Sequence, residues 1–467
     1  MIQWICNYYC VQLLKIRSYI TLHKLLSIML VKLFGYRNKL SLLLLSLAYA
    51  YVFMYSYKHY TIEHFAYLTG GYKEPSSLQL FVYYCCATIP FLFYKGFIRI
   101  ASIFSLFTYI LSYVPFLVGV CVDMNFQDCC VYSIVTAVLM IIAFCFDTYC
   151  FRLSGYYKSP KLIDYLKFER LTIILVVFIA IRFIGQLTFV NILSQSDEMY
   201  ELRESRGFDT VSTYLMLWNT YALLPVCLIY NLCINNKKKI LIFLGFYVIA
   251  FMLDMQKMTL IMPFAIVSLF YIVKNSRQVW AYFHALLIIA LLIICLILLH
   301  LGADSSSIFY GVAAIIIMRT IHVGAWLTTI YIDFFDKNQY TLFGHVGIVN
   351  KIFHTYPYGD TPLGRVVANG DMNANANFIL TDGFSSCGLL GIVIMFLVFI
   401  LFKSIMNNIG RIYDYRYCSL MLIPAISALM NASLFSSLFS FGFIVLFFIF
   451  KYVDFSLLKN GKNIKCK

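Results

Sequence analysis

The sequence predicts an all-α polytopic membrane protein of about twelve transmembrane helices with one large outer loop. Three observations carry that expectation. The 467-residue chain is 62% hydrophobic and only 12% charged, where soluble domains are roughly 45–50% apolar and about 25% charged. Apolar runs recur along its length, on the scale of the roughly 20 residues that cross a hydrocarbon core of about 30 Å. Most of the 36 Lys and Arg fall in alternate connecting segments, which is the positive-inside bias that fixes orientation.

Residues 1–39 are mixed, basic and aromatic, and suit an interfacial segment on the inner face or an unstructured start; no secretory cleavage site is visible. Residues 40–300 hold nine spans, near 40–57, 78–94, 98–120, 129–146, 171–190, 214–234, 238–254, 258–273 and 280–300. A polar outer loop at 191–213 interrupts them. Residues 301–384 form the large outer loop, 385–450 carry three more spans (385–403, 418–434, 437–450), and 451–467 are a basic inner tail. Inside the large loop, "IFYGVAAIIIMRTIHVGAWLTTIYI" at 308–332 is apolar enough to cross. Arg319 near its centre would cost ~2.5–3.5 kcal/mol, and a crossing there would turn Lys403, Arg411, Arg416 and the lysine tail outward. The stretch therefore reads as an amphipathic or re-entrant helix on the outer face. At membrane depth such a segment needs protein or a water-filled cavity over its polar side.

The net charge of +15 is a topology signal, so nucleic acid is not expected as a partner. The 15 cysteines mostly lie in apolar helices as small hydrophobes. No CxxC pair suggests a metal or redox site; Cys121, Cys129 and Cys130 lie near an outer helix end, where the sequence allows a disulfide but does not support one.

The polar residues that carry chemistry gather in the outer segments. Arg203 and Arg206 in "ELRESRG" share a helix face and could fork onto phosphate oxygens, unless Glu201 and Glu204 merely neutralise them. Arg182 lies within the fifth span, facing a polar interior or snorkelling to the surface. Arg319 and Arg365 would extend an outward-facing cationic pocket. Such a pocket suits a lipid-linked pyrophosphate, whose developing charge arginines would stabilise as it leaves. A sugar hydroxyl attacking an anomeric carbon also wants a general base within reach. The second loop offers His322, His345, His354, Asp360, Asp371 and Asp382, although such a residue taken alone is more often a loop or cap residue than a base. Tyr356 in "FHTYPYGDT" could stack on a sugar. Asn373, Asn375 and Asn377 precede Asp382 and could cap a helix beginning near Phe378 or face a polyhydroxyl substrate. The chain has no DxD pair, Walker loop, HExxH or GxSxG, so a metal-dependent nucleotide-sugar transferase, a primary pump, a zinc protease and a lipase are poorly supported.

In order, "LRESRG", "RTIHVGAWLTTIYIDFFDKN", "HTYPYGDTPLGRVV" and "NANANFILTDGFSSCGLLG" resemble the Wzy-type O-antigen or oligosaccharide repeat-unit polymerases. The motifs cover about 190–391, and the topology covers the whole chain. After "DGF" this chain has Ser385–Ser386–Cys387 where the family often shows another Asn or an aromatic. The resemblance implies a C-type glycosyltransferase fold in a bacterial inner membrane, working on undecaprenyl-pyrophosphate-linked oligosaccharides at the periplasmic face. It implies no metal or nucleotide sugar, and a chain-length regulator protein as a possible partner. The family's carrier-binding arginines would map to Arg203, Arg206 and Arg319. The base is expected among His345, His354 and Asp360. An O-antigen ligase-type transferase and a lipid-linked oligosaccharide flippase are the alternatives, the flippase disfavoured by the long outer loop.

Overall fold

The computed structural model describes residues 29, 31–65, 72–157, 161–188, 206–275, 279–302, 304, 307–370 and 372–459. Arg203, Asp371, most of 1–39 and the end of the basic tail lie outside the described residues, as does the side chain of Arg319. The chain is mainly helical, and the described residues include a two-residue parallel pairing of Ile163–Asp164 on Val453–Asp454.

Among the described residues, eight helices are long and apolar enough to cross a membrane, or nine if one bent pair is a single span. The expectation of about twelve is higher because it counts four helices of another kind. Ser77–Phe93 and Tyr415–Leu429 are apolar but short. Tyr165–Arg182 and Lys237–Asp254 have 18 residues each and charged ends. The fifth helix also starts earlier than its hydropathy suggests. Glu169 sits buried in its first turns, bound by Tyr165, Asn231 and Lys239, so a charge that marks a span boundary in sequence lies inside the packed bundle. Arg182 is consequently the helix's last residue and not two turns within a span.

Contacts at the helix ends define two faces. Lys58 pairs with Glu74, and Lys73 with Asp123 at 3.5 Å, joining the ends of Lys39–Ile62 and Ile100–Asp123 at what we call the loop face. Tyr36 N–H donates to Ala281 O at the opposite, basic face.

Residues 308–335 bend by 58° between 309–318 and Val323–Phe335. The segment starts against Gly302, where Ala313 packs with Tyr60, Leu298 and Ile317. It then runs along the third span in parallel order. A Cβ on Gly324 would stand 2.9 Å from Pro115, and one on Gly119 would stand 2.4 Å from Thr328 Cβ. Asp333 and Asp336 finish within electrostatic reach of Asp123. Both ends thus lie towards the loop face, and the buried His322 sits at the bend, bonded to Ser56 and Thr61.

The second departure is sharper. Ile379–Ile412 has the composition of one 34-residue span, yet it is a hairpin. The Phe378 ring stacks on Phe399 at 4.8 Å and meets Phe396 at 5.6 Å, whereas a continuous helix would hold 378 and 399 about 30 Å apart. The chain reverses at Cys387 and Gly388, the latter at φ 60° and ψ −132°. A short π-helical limb, Ile379–Phe384, therefore lies against the longer limb that follows. Two glycines allow this approach. A Cβ on Gly391 would fall 2.1 Å from Gly383 O, and one on Gly383 would fall 3.0 Å from Ile392 Cα. The large loop thus extends into the packed protein before its predicted end at 384. Gly391→Val should destabilise the detergent-solubilised protein by about 1–3 kcal/mol through overpacking. An unchanged Tm would show that the limbs are not in contact.

Candidate functional site

The hairpin reversal is closed by a piece of the large loop. Thr341 and Leu342 donate their backbone N–H groups to Ser385 O (2.8 Å) and Ser386 O (3.0 Å), the two carbonyls left open where the short limb stops. This docking sets Thr341 and His345, four residues apart, beside Asp382.

His345 Nε2 lies 3.3 Å from Asp382 Oδ1, and its Nδ1 lies 3.0 Å from Thr341 Oγ1. The second carboxylate oxygen, Oδ2, accepts the Leu434 N–H at 2.5 Å. Asp382 is completely buried, and the His345 side chain is 7% exposed. The Thr341 hydroxyl has two acceptors within reach, Ser385 O at 3.1 Å and His345 Nδ1, and a carbonyl can accept from both Thr341 groups. In the tautomer with the hydroxyl turned to Nδ1, Nε2 carries the ring hydrogen and donates to Asp382. That tautomer has the imidazole oriented by a buried carboxylate, with its other nitrogen directed at a hydroxyl. That is the arrangement a general base needs.

The surrounding wall is polar and aromatic. Tyr331 OH donates to Ala374 O (3.1 Å) and lies 3.2 Å from Thr381 Oγ1, which itself donates to Ala376 O. The NANAN stretch thus runs through the protein as extended backbone tied by side chains. Of the three asparagines expected at a helix cap, only Asn377 caps, accepting the Ile379 N–H at 3.0 Å. Asn373 and Asn375 are exposed, and their amide oxygens crowd over Gly364, where a Cβ would come within 2.3 and 2.7 Å. Tyr356 takes its N–H to Asn350 and its hydroxyl to Thr361 O (2.7 Å), packed against Gly344. Burial, and then Tyr358 alongside, raise the Tyr356 hydroxyl to about 12, so it remains a neutral hydrogen-bonding phenol.

No family model, curated protein or solved structure matches the chain. The geometry alone therefore ranks the sequence candidates. His354 ends the Gly347–Phe353 helix at φ 51°, exposed and without a carboxylate partner among the described contacts. Asp360 is exposed in the turn after Tyr358. Of the three candidates, His345 is the one that contacts both a carboxylate and a hydroxyl among the described residues.

The arginines do not form one cluster in the contacts described. Arg206 Nη1 donates to Met252 O (2.9 Å) and Leu253 O (2.6 Å), closing the end of Lys237–Asp254. Arg182 pairs with Asp209 at 3.1 Å and lies over the Phe183 ring. Arg365 is exposed on the short Leu363–Val367 helix beside the asparagines. Arg206→Gln should therefore cost about 1.5–3 kcal/mol of stability, the worth of its charged hydrogen bonds. Chemical unfolding of the purified variant measures this, and unchanged stability would free Arg206 for ligand binding.

Sequence reasoning missed Thr341 and Leu434. "TLFGH" carries a local signal, since residues four apart on a turn can bond. Leu434 acts through its backbone from 52 residues away, and no motif announces that.

Proposed function

We propose that the chain is a glycosyltransferase of the membrane, joining lipid-pyrophosphate-linked oligosaccharide repeat units into a surface glycan. The observation that carries this reading is the Asp382–His345–Thr341 relay, set where the long loop closes on the hairpin. In the reaction a sugar hydroxyl of the acceptor displaces Thr341 from His345 Nδ1 and gives up its proton there. The new bond forms from that oxygen to the donor's anomeric carbon, as the bond from that carbon to the pyrophosphate oxygen breaks. Asp382 stabilises the imidazolium that results, as a buried carboxylate does for a catalytic histidine. Tyr356 and the exposed Asn373 and Asn375 offer stacking and amide contacts to sugars. The lipid pyrophosphate leaves as an anion and calls for cationic partners, for which Arg365 lies on the same loop and Arg203 and Arg319 follow from the family resemblance. In this reading the membrane is a bacterial inner membrane, the loop face is periplasmic, and about twelve helices span.

The test is the surface glycolipid of a strain lacking this gene, complemented with wild type or His345→Gln. Polymerase predicts core plus a single repeat in the deletion and a ladder restored by wild type only. A ligase-type transferase, which shares this chemistry with a different acceptor, predicts no repeat on the surface and repeats retained on the carrier. Full restoration by a normally inserted His345→Gln protein would remove the base from the proposal.

A further inference from the structure

On the basic face, Arg99, Arg152 and Arg411 line one open cleft of about 470 Å³ around the 148–151 turn. They come from three separate segments: the residue before Ile100–Thr108, the connector after Phe126–Cys145, and the short Ile409–Ile412 helix. Among the described residues, the lining holds no carboxylate. The nearest buried acid, Asp147, faces inward onto Lys403 (2.5 Å) and Ser105 (2.6 Å), so its charge is already met. Lys95 adds another cation nearby, its Nζ 3.3 Å from Cys145 O.

The cleft is built on a braced frame. Asn407 Nδ2 donates to Asp147 O (3.0 Å) and Tyr149 O (2.6 Å), while its Oδ1 accepts the Ala101 N–H at 2.9 Å. Asn408 Nδ2 donates to Phe151 O at 2.8 Å, and the Phe151 N–H reaches Ser404 O. Two adjacent asparagines thus fix the turn that carries Arg152 relative to the segments bearing Arg99 and Arg411. The positive-inside bias puts basic residues on this face, but it does not require three guanidinium groups to share one cavity. Guanidinium groups held around one cavity match the several oxygens of a phosphate through forked, charge-assisted hydrogen bonds. Exposed Phe146, Tyr149 and Phe151 stand at the helix end where interfacial aromatics mark head-group depth.

We propose that this cleft binds the phosphate of an anionic lipid head group, a basic pocket between helix ends being a recurrent form of such sites. The assignment is independent of the glycan chemistry at the other face. The experiment is native mass spectrometry of the full chain released from micelles with phosphatidylglycerol, cardiolipin or phosphatidylcholine, and separately with inorganic pyrophosphate. Arg152 and Arg411 are both exposed, so Arg152→Gln with Arg411→Gln leaves the core intact. Lys237→Gln with Lys238→Gln removes equal charge elsewhere on the same face. The arginine pair should lower retention of the anionic lipids on the order of tenfold, with phosphatidylcholine unaffected and the lysine pair close to wild type. Equal loss from both pairs would reduce the effect to diffuse surface charge and overturn the site. Displacement of bound lipid by pyrophosphate would overturn the lipid assignment in favour of a soluble phosphate.

Discussion

On the proposed function, Asp382→Asn is expected to lower glycan polymerisation about 100-fold or more, the scale on which mis-set catalytic histidines fail. Asp382 Oδ1 faces His345 Nε2 and Oδ2 accepts the Leu434 N–H, with the Ser433 side chain adding a further hydrogen bond. An asparagine offers only one acceptor oxygen, so its amide group must face one of those donors. Keeping the bond to Leu434 turns the amide hydrogens on Nε2 and drives the ring hydrogen to Nδ1, where the base is needed free. His345→Gln should match this loss, and the double variant should be no worse than either single, because groups acting as one unit do not add. Polymer length on a glycolipid gel, alongside thermal stability of the purified variants, reads both. A long ladder from stable Asp382→Asn protein would reduce the pair to a structural clip.

The other large effect lies at the opposite face. Lys403 and Asp147 are both completely buried and 2.5 Å apart, with Ser105 and Asn407 completing the cluster. Lys403→Met leaves the Asp147 carboxylate uncompensated and should cost about 3–5 kcal/mol. Lys403→Met with Asp147→Leu should recover most of that, since a buried ion pair is often no better than matched apolar groups. Unfolding of the three variants in detergent measures the cycle. A Lys403→Met loss below about 1 kcal/mol, typical of a solvated surface pair, would contradict the burial.

Helix positions were largely legible because hydropathy records them directly: eight of the expected spans overlap helices long and apolar enough to cross, while Tyr165–Arg182 begins and ends earlier than expected. The hairpin was not, since Ile379–Ile412 is apolar throughout and hydropathy does not register a reversal of direction. Its signs in the sequence are Gly383, Gly388 and Gly391, small residues that admit close packing or a bend without specifying a fold-back. The site was half legible. "TLFGH" and Asp382 stand in the sequence, but their meeting depends on Ser385 and Ser386 carbonyls freed by the turn. Arg206 shows the reverse case, a residue with the right chemistry whose contacts are two backbone carbonyls. Glu169 and Asp147 look like boundary charges and are buried partners of lysines on other helices.

The hairpin also governs when the protein becomes competent during its own synthesis. The limb Ile379–Phe384 is too short to stay in a bilayer alone, and it emerges before Phe396 and Phe399, the rings that hold Phe378. It can settle only after the following span has been delivered, which makes the two limbs a single unit of insertion. Thr341 and His345 have been waiting since an earlier stage of translation, and Leu434, the donor to the far oxygen of Asp382, arrives later still. The relay is therefore assembled from three instalments and is complete only when nearly the whole chain is in the membrane. A stalled or truncated product ending before residue 434 would carry every sequence motif and lack a finished site.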